Sequence, residues 1–110
     1  MNEAKNQTDQ AREIDPQEQL AEICGRAKSF LNAYGREMEV AGGMRRSSYD
    51  RRGYSLNRIE WKSPFREHIE LSGNDRQFSY ETGEITMPGD RNWALQTLCE
   101  LELKERAETD

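Results

Sequence analysis

Histidine, cysteine and long apolar runs are all scarce in this chain, and each shortage removes a class of function. There is one histidine, His68, and there are two cysteines, Cys24 and Cys99. A structural zinc site needs four nitrogen or sulfur ligands, so none is expected. No apolar run approaches the roughly 20 residues of a membrane span. The first residues, MNEAKNQTDQAREIDP, hold no apolar core of a secretory signal and carry acids unlike a transit peptide. The chain therefore reads as cytoplasmic. On that reading the two thiols stay reduced, as small apolar fillers on helices. The sequon Asn6-Gln7-Thr8 is a chance match. Dinucleotide, P-loop, zincin and paired-cysteine motifs are missing, as is a nucleophile elbow. These absences argue against an enzyme, and no cofactor or metal is expected.

Positive charge is also in deficit. Sixteen Lys and Arg face 21 Asp and Glu, a formal net charge of -5. Bulk attraction to nucleic acid or to an anionic membrane is not the default for such a surface. The 110 residues have room for one core. Hydrophobic residues make up only 34%, a low share for a globular domain. They fall in periodic segments, so the chain reads as polar tails around a thin core.

What is present has a clear order. Residues 1–14 lack periodicity and read as a disordered polar tail, with a single domain over 15–107 and a frayed end at 108–110. Asp15-Pro16 supplies an N-cap and an N1 proline. On a helical wheel Leu20, Ile23, Cys24, Ala27, Phe30, Leu31 and Tyr34 form one stripe. Gly25 falls on the polar side. Gly35 stops the helix as a C′ residue.

Glu37 to Val40 alternates like a short strand, and Gly42-Gly43 breaks it. Residues 44–53 read as a polar connection. A strand begins near Tyr54, where Tyr54 and Leu56 share a face with Ile59 and Trp61 if a bulge sits at Asn57 or Arg58. Ser63-Pro64 ends it. Ile69 and Leu71 point inward on the next strand. The turn Ser72–Asp75 leads to a strand with Phe78 and Tyr80 inward. Thr82-Gly83 leads to one with Ile85 and Met87 inward. Pro88-Gly89 closes the sheet, and Asp90 caps a helix over about Arg91 to Arg106, striped by Ala94, Leu95, Leu98 and Leu101. The short loops imply an antiparallel meander. The expected fold is α+β, a two-layer sandwich: an N-terminal helix, an antiparallel sheet of three to five strands and a C-terminal helix.

The distinctive chemistry is a basic segment. Residues 44–62 carry a local charge of +4 while the remainder carries -9. Arg45, Arg46, Arg51, Arg52 and Arg58 interleave there with Tyr49 and Tyr54. These seven are the candidate binding residues. Arginine and tyrosine anchor protein interfaces. They also suit phosphate contact with base stacking, or pairing with the chain's own acids. His68 reads as a solvated strand residue. Glu67 shares parity with the apolar positions of its strand, so it lies at the sheet margin and finds a partner. Glu100, Glu102, Glu105 and Glu108 read as solvated.

The helix–strands–helix order resembles that of the double-stranded-RNA-binding domain. That family opens its last helix with a Gly/Lys-rich phosphate clamp. This chain has Pro88-Gly89-Asp90-Arg91-Asn92-Trp93 there, so no residue is carried across.

Three functions follow as expectations. The first is a non-catalytic protein-binding module, such as an inhibitor, adaptor or complex subunit, using the Arg/Tyr segment or an acidic surface. The alternative is a nucleic-acid-binding accessory protein using the same segment. The last is a small enzyme with no recognisable motif. A protein partner is expected, nucleic acid is an open alternative, and the oligomeric state is left open.

Overall fold

The computed structural model describes residues 15–40, 42–62, 65–82, 84–87 and 91–109, without the side chains of residues 40, 84–87 and 109. The expected tail over 1–14, the Asn6 sequon, the Ser63-Pro64 and Pro88-Gly89 breaks, Gly83, the Asp90 cap and the inward side chains of Ile85 and Met87 lie outside the described residues.

The first helix, α1 (Pro16–Tyr34), starts where the sequence says it does. The Gln17 backbone N–H donates to the Asp15 carboxylate at 3.3 Å, and Pro16 sits in the first turn. Leu20, Ile23, Ala27, Phe30 and Leu31 are buried, with Cys24 and Tyr34 half-buried beside them. Gly35 ends the helix, but not as a left-handed cap. Its φ/ψ of -90/174 is extended. Its N–H donates to the Leu31 carbonyl at 2.8 Å. Glycine is needed there for space: a Cβ would stand 2.8 Å from Leu31 side-chain and carbonyl atoms.

Six strands follow in simple meander order: β1 (Arg36–Val40), β2 (Met44–Arg51), β3 (Tyr54–Lys62), β4 (Phe65–Gly73), β5 (Arg76–Glu81) and β6 (Glu84–Met87). Each pairs antiparallel with its sequence neighbour. The sixth strand arises because residues 44–51 are β2 rather than a polar connection. Arg51 pairs with Tyr54, so Arg52-Gly53 is a two-residue turn, and both residues have positive φ (59° and 83°). That is the I′ geometry that matches strand twist. Asn74-Asp75 makes the next such turn, at φ 58° and 62°.

β3 contains no bulge. It pairs residue for residue with both β2 and β4. Tyr54, Leu56 and Arg58 therefore face one way, while Ile59 and Trp61 face the other. A register shift lies between β5 and β6, at Ser79/Tyr80.

The chain closes with α2 (Arg91–Thr109), which packs on α1. Ala94, Leu98 and Leu101 are buried. Leu103 is exposed, as its place outside the stripe requires. Both helices cover the same sheet face. Its central row runs Tyr49, Leu56, Leu71, Phe78 across four strands, all buried. Phe30 stands edge-on to Tyr49, with ring centroids 4.7 Å apart. The fold is thus the expected α+β sandwich, with one face covered and one wet. Among the described residues no helix is long and apolar enough to cross a membrane. Cys24 and Cys99 are both free thiols.

Candidate functional site

The pleat distributes the seven Arg and Tyr candidates over different surroundings. Arg45, Tyr49, Arg51, Tyr54 and Arg58 share the helix-facing side, by their places in the register. Arg46 alone points to the wet face, where it donates to the Asn57 side chain at 3.1 Å. Arg52 occupies the turn. Arg45 is exposed and pairs with Glu37 at 3.3 Å.

Three of the seven converge on α2. Tyr49 donates its hydroxyl hydrogen to Glu105 at 2.7 Å. Arg51 donates to both oxygens of the same carboxylate at 3.0 Å, and Arg52 Nε donates at 3.1 Å. Both arginines continue to Glu108, at 3.2 and 2.9 Å. Glu105 is 3% exposed, which corrects the expectation of a solvated acid. It is tolerated inside because the Tyr49 hydroxyl and both arginines donate to it. The Tyr49 hydrogen bond, then the two arginines, hold its carboxyl below the ordinary value against the opposing effect of burial. Burial and the Glu105 bond together push the Tyr49 hydroxyl up.

A second buried carboxylate sits under α1. Glu67 on β4 is 6% exposed and faces inward within the regular strand. Its partners are the Tyr80 hydroxyl at 2.6 Å, Arg58 Nε at 2.5 Å and the Lys28 ammonium at 3.6 Å. Burial alone would raise this carboxyl. The Tyr80 and Arg58 hydrogen bonds and the charges of Arg58 and Lys28 outweigh burial and hold it low. The expectation that Glu67 finds a partner is met: it faces inward within β4, one residue before the β4–β5 ladder begins at His68.

Glu67 and Tyr80 form the floor of a cavity of about 370 Å³. Its wall is one side of α1, from Gln17 through Leu20, Ala21, Cys24 and Gly25 to Lys28. Burial pushes the Cys24 thiol above its ordinary value, only partly offset by its bond with Tyr80. The thiol is therefore protonated at neutral pH and a poor nucleophile. Sequence reasoning missed this cavity, because Gly25 and Lys28 read as part of a solvated helix side.

The wet face carries a third grouping, also missed. Met38, Arg46, Ile59 and His68 form one cross-strand row. Met44, Trp61 and Arg66 form the adjacent row. The Arg66 guanidinium lies 4.4 Å from the Trp61 ring centroid, a cation–π contact. Met38 is 50% exposed, with Met44, Ile59 and Trp61 half-buried. His68 is on this face as expected, 3.8 Å from Glu70 and 3.7 Å from Glu81. Among the described residues no group of three or more His, Cys, Asp or Glu is placed to hold a metal ion. Comparison with protein-family models, curated proteins and solved structures finds no match to this chain.

Proposed function

We infer that the protein is a small non-catalytic protein-binding module, and that its contact surface is the wet face of the sheet around Trp61. The carrying observation is the pair of adjacent rows Met38–Arg46–Ile59–His68 and Met44–Trp61–Arg66. Trp, Met and Arg are enriched at interfaces, and Trp and Arg dominate their energetics. Nothing in the described fold needs large apolar side chains on that side. Arg36 and Arg46 are exposed there, and among the described residues no ion pair to a carboxylate is seen for either. The surface thus suits a partner with an apolar socket ringed by acids.

The nucleic-acid alternative draws less support. Arg51, Arg52 and Arg58 are already bonded to carboxylates. Tyr49 is buried and Tyr54 half-buried against the core, so neither offers a stacking platform. Catalysis draws less support too, since Cys24 is held as a thiol and His68 stands on the open face.

The test is affinity purification from the native host, comparing the wild type with Trp61→Ala and Arg46→Glu. A hot-spot anchor lost at Trp61 reduces recovery of a bound partner by roughly thirtyfold. Recovery of the same partners in the same amounts by all three proteins overturns the assignment.

A further inference from the structure

The cavity under α1 is separate from the wet face, being on the opposite side of the sheet. Its chemistry is set by how little of the Glu67 carboxylate is used. An ionised carboxylate accepts up to about four hydrogen bonds. Tyr80 and Arg58 fill two of these places. Lys28, at 3.6 Å, fills none at hydrogen-bond distance. Its side chain is 45% exposed, so the ammonium swings into water at little cost.

The cavity wall supports the same reading. Leu20, Ala21 and Cys24 offer an apolar track along the helix, leading to the carboxylate. Gly25 lines the rim, and a Cβ there has no atom within 4 Å, so a longer side chain has room to lean over the mouth. The volume of about 370 Å³ is at the small end of ligand sites, which run from roughly 300 to 1,000 Å³. Arg58 and Lys28 offset the Glu67 charge, so selection against an anion rests on hydrogen bonding: the Tyr80 and Arg58 donors are already turned to Glu67, and the floor presents carboxylate lone pairs. A cation with a short apolar stem meets an acceptor at the end of its track.

We propose that the α1–sheet cavity is a binding site for a small organic cation, an ammonium or guanidinium on an apolar stem, with Glu67 as its acceptor and Lys28 as the displaceable placeholder. The cation comes either as a free amine or as a lysine or arginine side chain of a polypeptide.

The probes are n-butylammonium, a doubly capped lysine tripeptide and, as the anionic control, butyrate. Binding is followed by amide chemical shifts over Gln17 to Lys28. The expected result is saturable binding of both cations and none of butyrate. Tighter binding of the tripeptide assigns the site to a polypeptide side chain, and tighter binding of the free amine to a small metabolite. Either order supports the cation site.

Glu67→Gln weakens cation binding by roughly tenfold or more, but it leaves Arg58 only its longer contact with Glu60 at 3.6 Å and can unfold the chain. Two variants on the exposed side of α1 avoid that problem. Lys28→Met removes the competing ammonium and tightens cation binding by roughly two- to fivefold. Gly25→Leu fills the rim and abolishes binding with the helix intact by circular dichroism. The proposal is overturned by any of four results: butyrate binding in place of the amine, weaker cation binding in Lys28→Met, unchanged binding in Gly25→Leu, or no saturable shift with either cation at millimolar concentration.

Discussion

Tyr49 on β2 donates to Glu105 on α2 at 2.7 Å, and through that bond the second strand is fastened to the last helix. The same carboxylate takes Arg51 and Arg52 from the end of β2 and its turn. An inner strand that looks polar in sequence is thus held to a helix that looks acidic. Removing the carboxylate leaves the buried Tyr49 hydroxyl without its acceptor and leaves Arg51 and Arg52 with Glu108 alone. Glu105→Ala is expected to cost about 2–4 kcal/mol, discounted for the half-exposed Arg51. Tyr49→Phe is expected to cost only about 1 kcal/mol, because the arginines still satisfy Glu105. Urea unfolding of the two variants measures the difference, and equal costs would show that Tyr49 rather than the arginines carries the contact.

Stability should fall on both sides of neutrality, for different residues. Glu67 and Glu105 have carboxyls held below their ordinary values. Their contribution is fully present above the unfolded carboxylate range, near about 4.3. It is lost as pH falls through the lower folded values. Tyr49 and Tyr80 have hydroxyls pushed up, chiefly by burial. Each keeps its proton more tightly when folded. That contribution is present below the unfolded tyrosine value of about 10 and is lost as pH rises through the folded value. Urea midpoints measured from pH 3 to 11 should form a plateau with two falling edges. A Glu67→Gln, Glu105→Gln double variant should flatten the acid edge and reduce the alkaline edge to a lesser degree, because both carboxylates add to the burial that raises Tyr49 and Tyr80. An unchanged acid edge in that variant would assign the loss to surface carboxylates.

Two glycines on or beside α1 should respond to alanine with opposite signs. Gly25 is exposed in the helix, and a Cβ there meets nothing within 4 Å. Gly25→Ala is expected to stabilise by about 0.5–1 kcal/mol through helix propensity. A Cβ at Gly35 stands 2.8 Å from both the Leu31 side chain and its carbonyl oxygen. Gly35→Ala must move the chain where it turns into β1, and is expected to destabilise by about 1–3 kcal/mol. Thermal unfolding of both variants checks the signs, and a stabilising Gly35→Ala would contradict the close packing seen there.

The parts of the fold that were legible in sequence are those where apolar periodicity and burial coincide. The stripe from Leu20 to Leu31, with the Asp15-Pro16 start, marks α1 because its buried partners are apolar. The parity of Ile69, Leu71, Phe78 and Tyr80 marks β4 and β5 for the same reason. β2 was not legible, because its helix-facing residues Arg45, Ser47, Tyr49 and Arg51 alternate without an apolar signal. Arg51 meets carboxylates on α2, and Tyr49 packs its ring on Phe30 while its hydroxyl reaches Glu105. Glu105 was misread as solvated for the matching reason, since a charge carries no mark of its partner in sequence. The Glu67 cavity needs Tyr80, Arg58 and Lys28 from three separate elements, and no local spacing brings them together.

The orientation of β3 gives the sharpest test of the register. A bulge at Asn57 or Arg58 places Leu56, Ile59 and Trp61 all in the core. The residue-for-residue pairing with β2 and β4 places Leu56 inside and Ile59 outside instead. Leu56 is 0% exposed, in the central row between Tyr49 and Leu71. Leu56→Ala is therefore expected to cost about 2–5 kcal/mol, as a lost contact plus a cavity. Ile59 is half-buried on the wet face, where it loses little packing on truncation. Ile59→Thr keeps the β-branch that favours a strand and is expected to change stability by no more than about 1 kcal/mol. Matched urea titrations of the two variants give the ratio. Equal, large losses at both positions would place both side chains in the core and restore the bulge. A large loss at Leu56 alone fixes Ile59 and Trp61 on the open face, where the proposed partner meets them.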